Sequence, residues 1–415
     1  MTKTHQRKRL PAHRNPIQAL LGLLLAWTVA CPGLLVAAER TLTVTMRLDE
    51  SEWRVMRAEI LPRFEKECQC TVVPRDVPPE QLAQLLQAMA RAGRMEIDVF
   101  AQDNMRLLEL VSIGVVQDLS AYESRIAPQV SKVLLETGRI QGRLYFFPYR
   151  PNVQIAYYNA QRFERYGLSP PGTWEELLHV ARVFKEKEGV GRVLFQAWGG
   201  APTVTQVYEW ITSAGGDPLV LTHPGTVKTF RFLQELWPYL SPDSRQAKWD
   251  TTNQFLAQES AYLAQNWPFG VRLLIQEYGK TAIKTYSGWA GPARKAHVIG
   301  GEVLGIPVGT PNVPLALDFL RFMQSKGIQE LLTVRLGWPS LRTDAHGRVE
   351  AWMRPYFKAV TEALTHGIVR KNLPYWPEYE KLVNEAFVRT VVRGEAVEGT
   401  LHALQARLER VQGRY

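Results

Sequence analysis

Cysteine is scarce: three residues in 415, with no histidine cluster beside any of them. A structural metal centre wants four such ligands at short spacing, so neither a metal nor a thiol chemistry is expected. Catalytic signatures are missing too. The chain has no G-x-S-x-G elbow, no H-E-x-x-H, no P-loop, and no G-x-G-x-x-G after a strand. Beyond the N-terminal stretch there is no Lys/Arg block longer than a few residues. A nucleic-acid partner, which needs a basic stripe or a recognisable module, is therefore not expected. Repeats and low-complexity tracts are absent as well. The carboxylates Asp49, Glu50, Glu52 and Asp103 have the chemistry of a glycosidase pair, but that role needs a defined separation that no sequence supplies. Acidic residues at strand ends serve more often as ligand hydrogen-bond acceptors. Binding without catalysis, and without a cofactor, is the expectation.

What is present is an ordinary globular composition, 46% hydrophobic and 22% charged. The length exceeds what one hydrophobic core usually serves, so two domains are expected. Residues 1–38 read as an export leader. Lys3, Arg7, Lys8, Arg9 and Arg14 form a basic start, Leu20 to Val29 an apolar segment, and Val36-Ala37-Ala38 a small-residue cleavage site. Cleavage there leaves five of the ten net positive charges and sends a soluble chain to the periplasm. Cys31 after Thr28-Val29-Ala30 offers a less favoured alternative, a lipid anchor, with Pro32 an awkward neighbour. Cys68 and Cys70 remain, and in an oxidising compartment a local disulfide is favoured over a metal site, although a ring across one residue is strained.

Along the chain, Leu42, Val44, Met46 and Leu48 alternate as an opening strand. Trp53, Met56, Ile60 and Phe64 follow at helical spacing, with a kink expected at Pro62. Further strands are expected over 71–75 and 97–100, helices over 79–91 and 104–113, the latter stopped by Gly114. This alternation predicts a largely parallel, doubly wound sheet. Residues 148–184 organise the rest of the chain. Pro148 and Pro151 stiffen a crossing point, Val153 to Tyr158 is a strand, Asn159 caps a short helix ended by Gly167, and Thr173 with Glu176 forms a capping box for an amphipathic helix. Helices near 203–214, 224–239 and 269–278, a return crossing at 287–292, a strand over 303–308, a helix with Leu315, Phe319 and Phe322, and a terminal helix with Leu401, Leu404, Leu408 and Val411 complete the pattern.

Several runs, in order, carry a resemblance: Y-Y-N at 157–159 with G-L-x-x-P-x-T-W-E-E-L at 167–177, and F-L-x-F-M at 319–323 after G-I-P-V-G-T at 305–310. D-V-F-A-Q-D at 98–103, N-W-P-F at 266–269, L-G-W at 336–338 and L-P-Y-W-P at 373–377 add to it. Over nearly all its length beyond the leader, the chain resembles the family 1 extracellular solute-binding proteins of ABC importers, trehalose/maltose binders above all. The resemblance implies an α/β, two-lobed periplasmic-binding-protein fold, type II-like, each lobe a doubly wound sheet, joined by crossover hinges. Lobe one would comprise 39–149 and 297–340, lobe two 150–296 and 341–415.

It also implies partners and a site. The partners would be a sugar or polyol and a membrane permease, the chain itself being a monomer. Asp103 matches a hydroxyl-accepting carboxylate, with a helix-capping role as its alternative. Glu50 and Glu52 lie in the first strand–helix loop, where a family acid points into the cleft, Glu52 being the favoured register, and Arg150 and Asn152 stand where relatives carry Tyr and Asp contacts. Trp267 matches a stacking tryptophan, with Phe269 where relatives often have Tyr. Gly301 matches a backbone contact, but Glu302 replaces the tryptophan that comes after it, removing a stacking face and adding an anion. That departure favours a polyol, an amino-bearing sugar or a smaller solute over a long glucan. Arg370 matches a bidentate hydroxyl binder, and Trp338 either lines the cleft or packs beneath it. A non-sugar solute such as a phosphorylated polyol, or a secreted carbohydrate-processing enzyme, are the alternatives. The adjacent Tyr157 and Tyr158, ferric ligands in another branch of binding proteins, are expected in the core here.

Overall fold

Thr41–Met46 forms β1, whose Leu42, Val44 and Met46 are buried, as the alternation requires. A computed structural model describes residues 40–48, 50–345 and 349–415; the leader with Cys31, and Asp49, lie outside the described residues. β1 pairs in parallel with β2 (Thr71–Asp76) and β3 (Val99–Asp103). Between β1 and β2 runs a helix that widens to a π turn at Met56–Ile60 before Leu61–Cys68. Pro62 cannot donate to the carbonyl four residues back, and the wide turn absorbs that loss where the kink is expected. The helix ends in the Cys68–Cys70 disulfide, with Gln69 in the left-handed region (φ 51°) and Cα atoms 5.3 Å apart, an ordinary disulfide separation.

After a two-residue hairpin of β4 (Arg139–Ile140) and β5 (Arg143–Leu144), the chain enters β6 (Phe147–Val153) and then β7 (Ile155–Asn159). The two belong to different sheets. β7 is central to a second sheet ordered β10-β7-β9-β8, with β8 (Val193–Leu194), β9 (Leu263–Asn266) and β10 (Ile283–Tyr286). β6 pairs instead with β11 (His297–Gly305) in the first sheet, ordered β12-β11-β3-β1-β2, where β12 is Gly367–Val369. One edge of β11 carries β12 at 297–299 and β3 at 302–305; β6 runs along the other.

Both sheets are mixed rather than largely parallel. β11 is antiparallel to β3 and β6, and β7 is antiparallel to β9 and β10. Two strand positions also move. β3 begins and ends later than expected, reaching Asp103, because β11 extends its ladder. β11 covers 297–305 rather than 303–308, since Gly300-Gly301, which reads as a break, is held inside the ladder. Gly301 adopts φ +108°, and a Cβ there would lie 2.2 Å from the Arg150 carbonyl oxygen, so only glycine fits.

Apolar clusters cover both faces of each sheet. Leu42, Val44 and Val99 pack with Phe64 and Phe319, whose rings meet edge-on at 5.1 Å, while Phe100 and Val303 pack on the opposite face. In the second sheet Ala156 faces the helices Trp174–Glu188 and Gly200–Ser213, and Ile155 and Tyr157 face Arg354–Thr365. Thr173 accepts from the Glu176 amide at 3.2 Å, while the Glu176 carboxylate reaches one residue past the capping-box partner, to the Gly172 amide at 2.6 Å. Thr173→Ala should therefore lower stability by about 1 kcal/mol, read as a shifted urea midpoint with unchanged slope.

Candidate functional site

β3, β11 and β6 lie side by side, and one row across them joins Asp103, Glu302 and Arg150 as Cα partners. The row stands at the carboxyl end of β3, where open α/β sheets present ligand groups. Arg150 donates to Glu52 Oε1 at 2.5 Å and lies 3.7 Å from Glu302. Glu302 also accepts from the Tyr149 hydroxyl at 2.6 Å. Glu52, at the start of its helix, accepts from Trp338 Nε1 at 3.0 Å, and the Arg150 guanidinium stacks 4.3 Å from the Trp338 ring centroid. Tyr149 meets the same indole edge-on at 6.1 Å. Four sequence-selected residues thus form one contact group, with Tyr149 as a fifth member.

Burial raises the Glu302 carboxyl above the ordinary range; Arg150 and the Tyr149 hydroxyl pull it back, while Asp103 and Glu52 add to the rise. The Tyr149 hydroxyl, raised well above its usual value mainly by burial and then by Glu302, stays a donor. Asp103 Oδ1 accepts from the Met105 amide at 2.9 Å. It thus caps a turn, but not the helix expected from 104, which begins at Leu107.

Arg370 follows β12 and is buried. It donates to Thr205 Oγ1 at 2.9 Å, on the helix Gly200–Ser213, and reaches Asn104 Oδ1 at 3.4 Å. Asn104 in turn donates to the Ile299 carbonyl at 3.2 Å. Burial lowers the guanidinium's pKa, opposed by the charges of Asp103, Tyr208 and Glu380. Its Nε has no partner among the described residues. Arg370 therefore feels the charge of Asp103 in the row, and it bridges the helix Gly200–Ser213, packed on the second sheet, to Asn104 just after β3.

Trp267, after β9, is buried against Trp249, their rings 6.2 Å apart, and lies over Gly300. A Cβ on Gly300 would come within 2.6 Å of Trp267 Cη2. The residue beneath the tryptophan is thus Gly300, while Gly301 serves the strand geometry. Asn152 pairs with Gly300 from β6. Phe269 stands apart, 42% exposed. Tyr157 donates its hydroxyl to the Trp267 carbonyl at 2.7 Å, whereas Tyr158 packs on Phe163 and Tyr286. Neighbours on a strand point to opposite faces, so the two phenols do not converge on an ion. No group of three His, Cys, Asp or Glu among the described residues has metal-holding geometry.

Sequence reasoning passed over Tyr149, Asn104, Thr205 and Gly300. Tyr149 and Asn104 adjoin residues it selected, and Gly300 sits in the same glycine pair. Thr205 carried no signal, lying mid-helix.

The family profile of the bacterial extracellular solute-binding proteins matches residues 51–330. The chain belongs to that family. Among solved structures it is similar to the sugar-binding protein MalE of Xanthomonas citri, at 16% identity and TM-score 0.78, covering 90% of this chain and 98% of that one. The cyclic alpha-maltosyl-1,6-maltose binding protein of Arthrobacter globiformis matches at 19% and 0.77, covering 90% and 99%. A solute-binding protein of an Agrobacterium radiobacter ABC transporter, in complex with ribitol, matches at 20% and 0.70, covering 90% and 98%. At these identities the likeness establishes the fold, the two-lobed α/β architecture of periplasmic binding proteins.

The raised Glu302 carboxyl yields a prediction with a definite sign. Between the ordinary carboxylate range and its raised value, the folded chain binds this proton and the unfolded chain does not. Its contribution to stability is greatest below that window and falls as pH rises through it. Glu302→Gln should remove this fall, so that urea unfolding from pH 4 to 7 shows the variant gaining on the wild type as pH rises.

Proposed function

We propose that the protein is an exported solute receptor of an ABC importer, binding a carbohydrate or polyol between its lobes and presenting it to a membrane permease. The lobes are taken as 39–149 with 297–340 and 150–296 with 341–415, the β6–β11 ribbon running between them. The observation that carries this reading is the Asp103–Glu302–Arg150 row at the carboxyl end of β3, whose Asp103 charge is felt by buried Arg370. Asp103 supplies a hydroxyl acceptor and the Arg370 guanidinium, whose buried Nε has no partner among the described residues, a donor, the complementary pair a diol needs. Trp267 supplies the apolar face for the sugar's C–H groups, over Gly300 and its strand partner Asn152; Gly301 is kept as the backbone contact and exposed Phe269 as an outlying one. Structural neighbours bound to maltose, tagatose and ribitol agree with a sugar or polyol.

The geometry also weighs against the alternatives. Arg150 is committed to Glu52 and Glu302, so it does not form a phosphate clamp. Glu302 is answered by Arg150 and Tyr149, so it calls for no cationic sugar. Glu52 is tied to Arg150 and Trp338, and the family consists of binding proteins, so no catalytic cycle is assigned. The chain is taken to act as a monomer in the periplasm, with lipidation at Cys31 the lesser route.

A thermal-shift screen of sugars, polyols, phosphorylated polyols and amines tests the reading, since a ligand of the folded state raises its apparent stability. At least one neutral sugar or polyol should raise the midpoint; stabilisation by charged solutes alone would refute it. Trp267→Ala should lower affinity for that ligand about tenfold or more, in line with the loss of a buried aromatic face, measured by calorimetry.

A further inference from the structure

Trp338 is the second indole at the site, and one of its faces is already in use. The Arg150 guanidinium covers it at 4.3 Å, and the indole is only 6% exposed. Two anchors hold the cover in place: Glu52, bonded to both Arg150 and Trp338 Nε1, and Glu302 at 3.7 Å. Nor is the cover a mobile surface arginine, because its side chain is 23% exposed between carboxylates exposed 12% and 16%. A stacked, doubly paired guanidinium loses little further entropy by staying, and its planar form matches the ring beneath.

We infer that Arg150 sets the length of the ligand by occupying the stacking position over Trp338. This rests on the carbohydrate reading above and deepens it. A sugar ring entering here would have to displace the cation paired with Glu52 and Glu302, taking the guanidinium from two carboxylates in a poorly solvated place. That displacement is strongly unfavourable. The site therefore accommodates a linear polyol, a monosaccharide or a disaccharide, and excludes a further ring at the Trp338 end. Glu302 acts in the same direction as one of the two anchors.

The test is calorimetric titration of wild type and Arg150→Ala with ribitol, glucose, trehalose, maltose, maltotriose and maltotetraose. Wild type should bind at least one of the first four and hold maltotriose and maltotetraose at least about tenfold more weakly. Arg150→Ala should gain affinity for maltotriose by about tenfold or more and show a larger tryptophan fluorescence change with it. Should Arg150→Ala not fold, as judged by circular dichroism, the double variant Arg150→Ala with Glu52→Gln, which removes the negative charge that Arg150 balances, takes its place with the same expectation. A wild type that binds maltotriose as tightly as maltose, or a folded variant that still rejects it, overturns the length-setting role while leaving the carbohydrate reading intact. Failure of every saccharide and of ribitol to bind either protein overturns both.

Discussion

The antiparallel pairing of β6 with β11 is the constraint on which the site depends. It fixes Arg150 opposite Glu302 and Asn152 opposite Gly300, and it extends β11 far enough for β3 to bring Asp103 into the same row. The glycine pair makes this possible. Gly301 takes a left-handed backbone against the Arg150 carbonyl, and Gly300 leaves room for the Trp267 ring. A side chain at either position would push apart two elements that must touch. The ribbon thus combines two tasks, a link between the sheets and a scaffold for side chains from both.

Charge placement on that scaffold follows from the cost of burial. A carboxylate as shielded as Glu302 is expensive to ionise without partners. The structure gives it a guanidinium and a phenol, and gives the guanidinium a second carboxylate and an indole face. Each member compensates another, so the group is preorganised. This separates Glu302 from the role its sequence position suggests. As an isolated anion it would attract a cation; as the third point of a triangle with Arg150 and Tyr149 it is a structural counter-ion.

Local signals in the sequence were legible and non-local ones were not. The Asn159 and Thr173 caps, the helix over Pro79–Arg91 and the Pro62 distortion depend on near neighbours, and all appear where the residues place them. Strand limits and sheet sense depend on partners far along the chain. β3 and β11 define each other across some two hundred residues, so neither end could be read from its own segment. The site behaves likewise. Asp103, Glu52, Arg150, Glu302 and Trp338 were selectable by type and resemblance, but their mutual pairing is a property of three strands and a helix meeting. Phe269, selected because the resemblance puts it where relatives often have Tyr, stands open to solvent because the chain turns into the next helix directly after it.

Arg370 shows how such an assembly can respond to a ligand. Its guanidinium touches Thr205 on the side of the second sheet and Asn104 beside the first, and Asn104 is fastened to β11 through the Ile299 carbonyl. Motion of one sheet against the other must therefore stretch or release bonds to a single buried cation. A ligand acts on that equilibrium only through the difference in its affinity for the two arrangements. The Arg370 Nε is buried without a hydrogen-bond partner among the described residues and feels the charge of Asp103. On the proposed reading, coupling between binding and closure needs no long pathway, because Arg370 already joins Thr205 to Asn104.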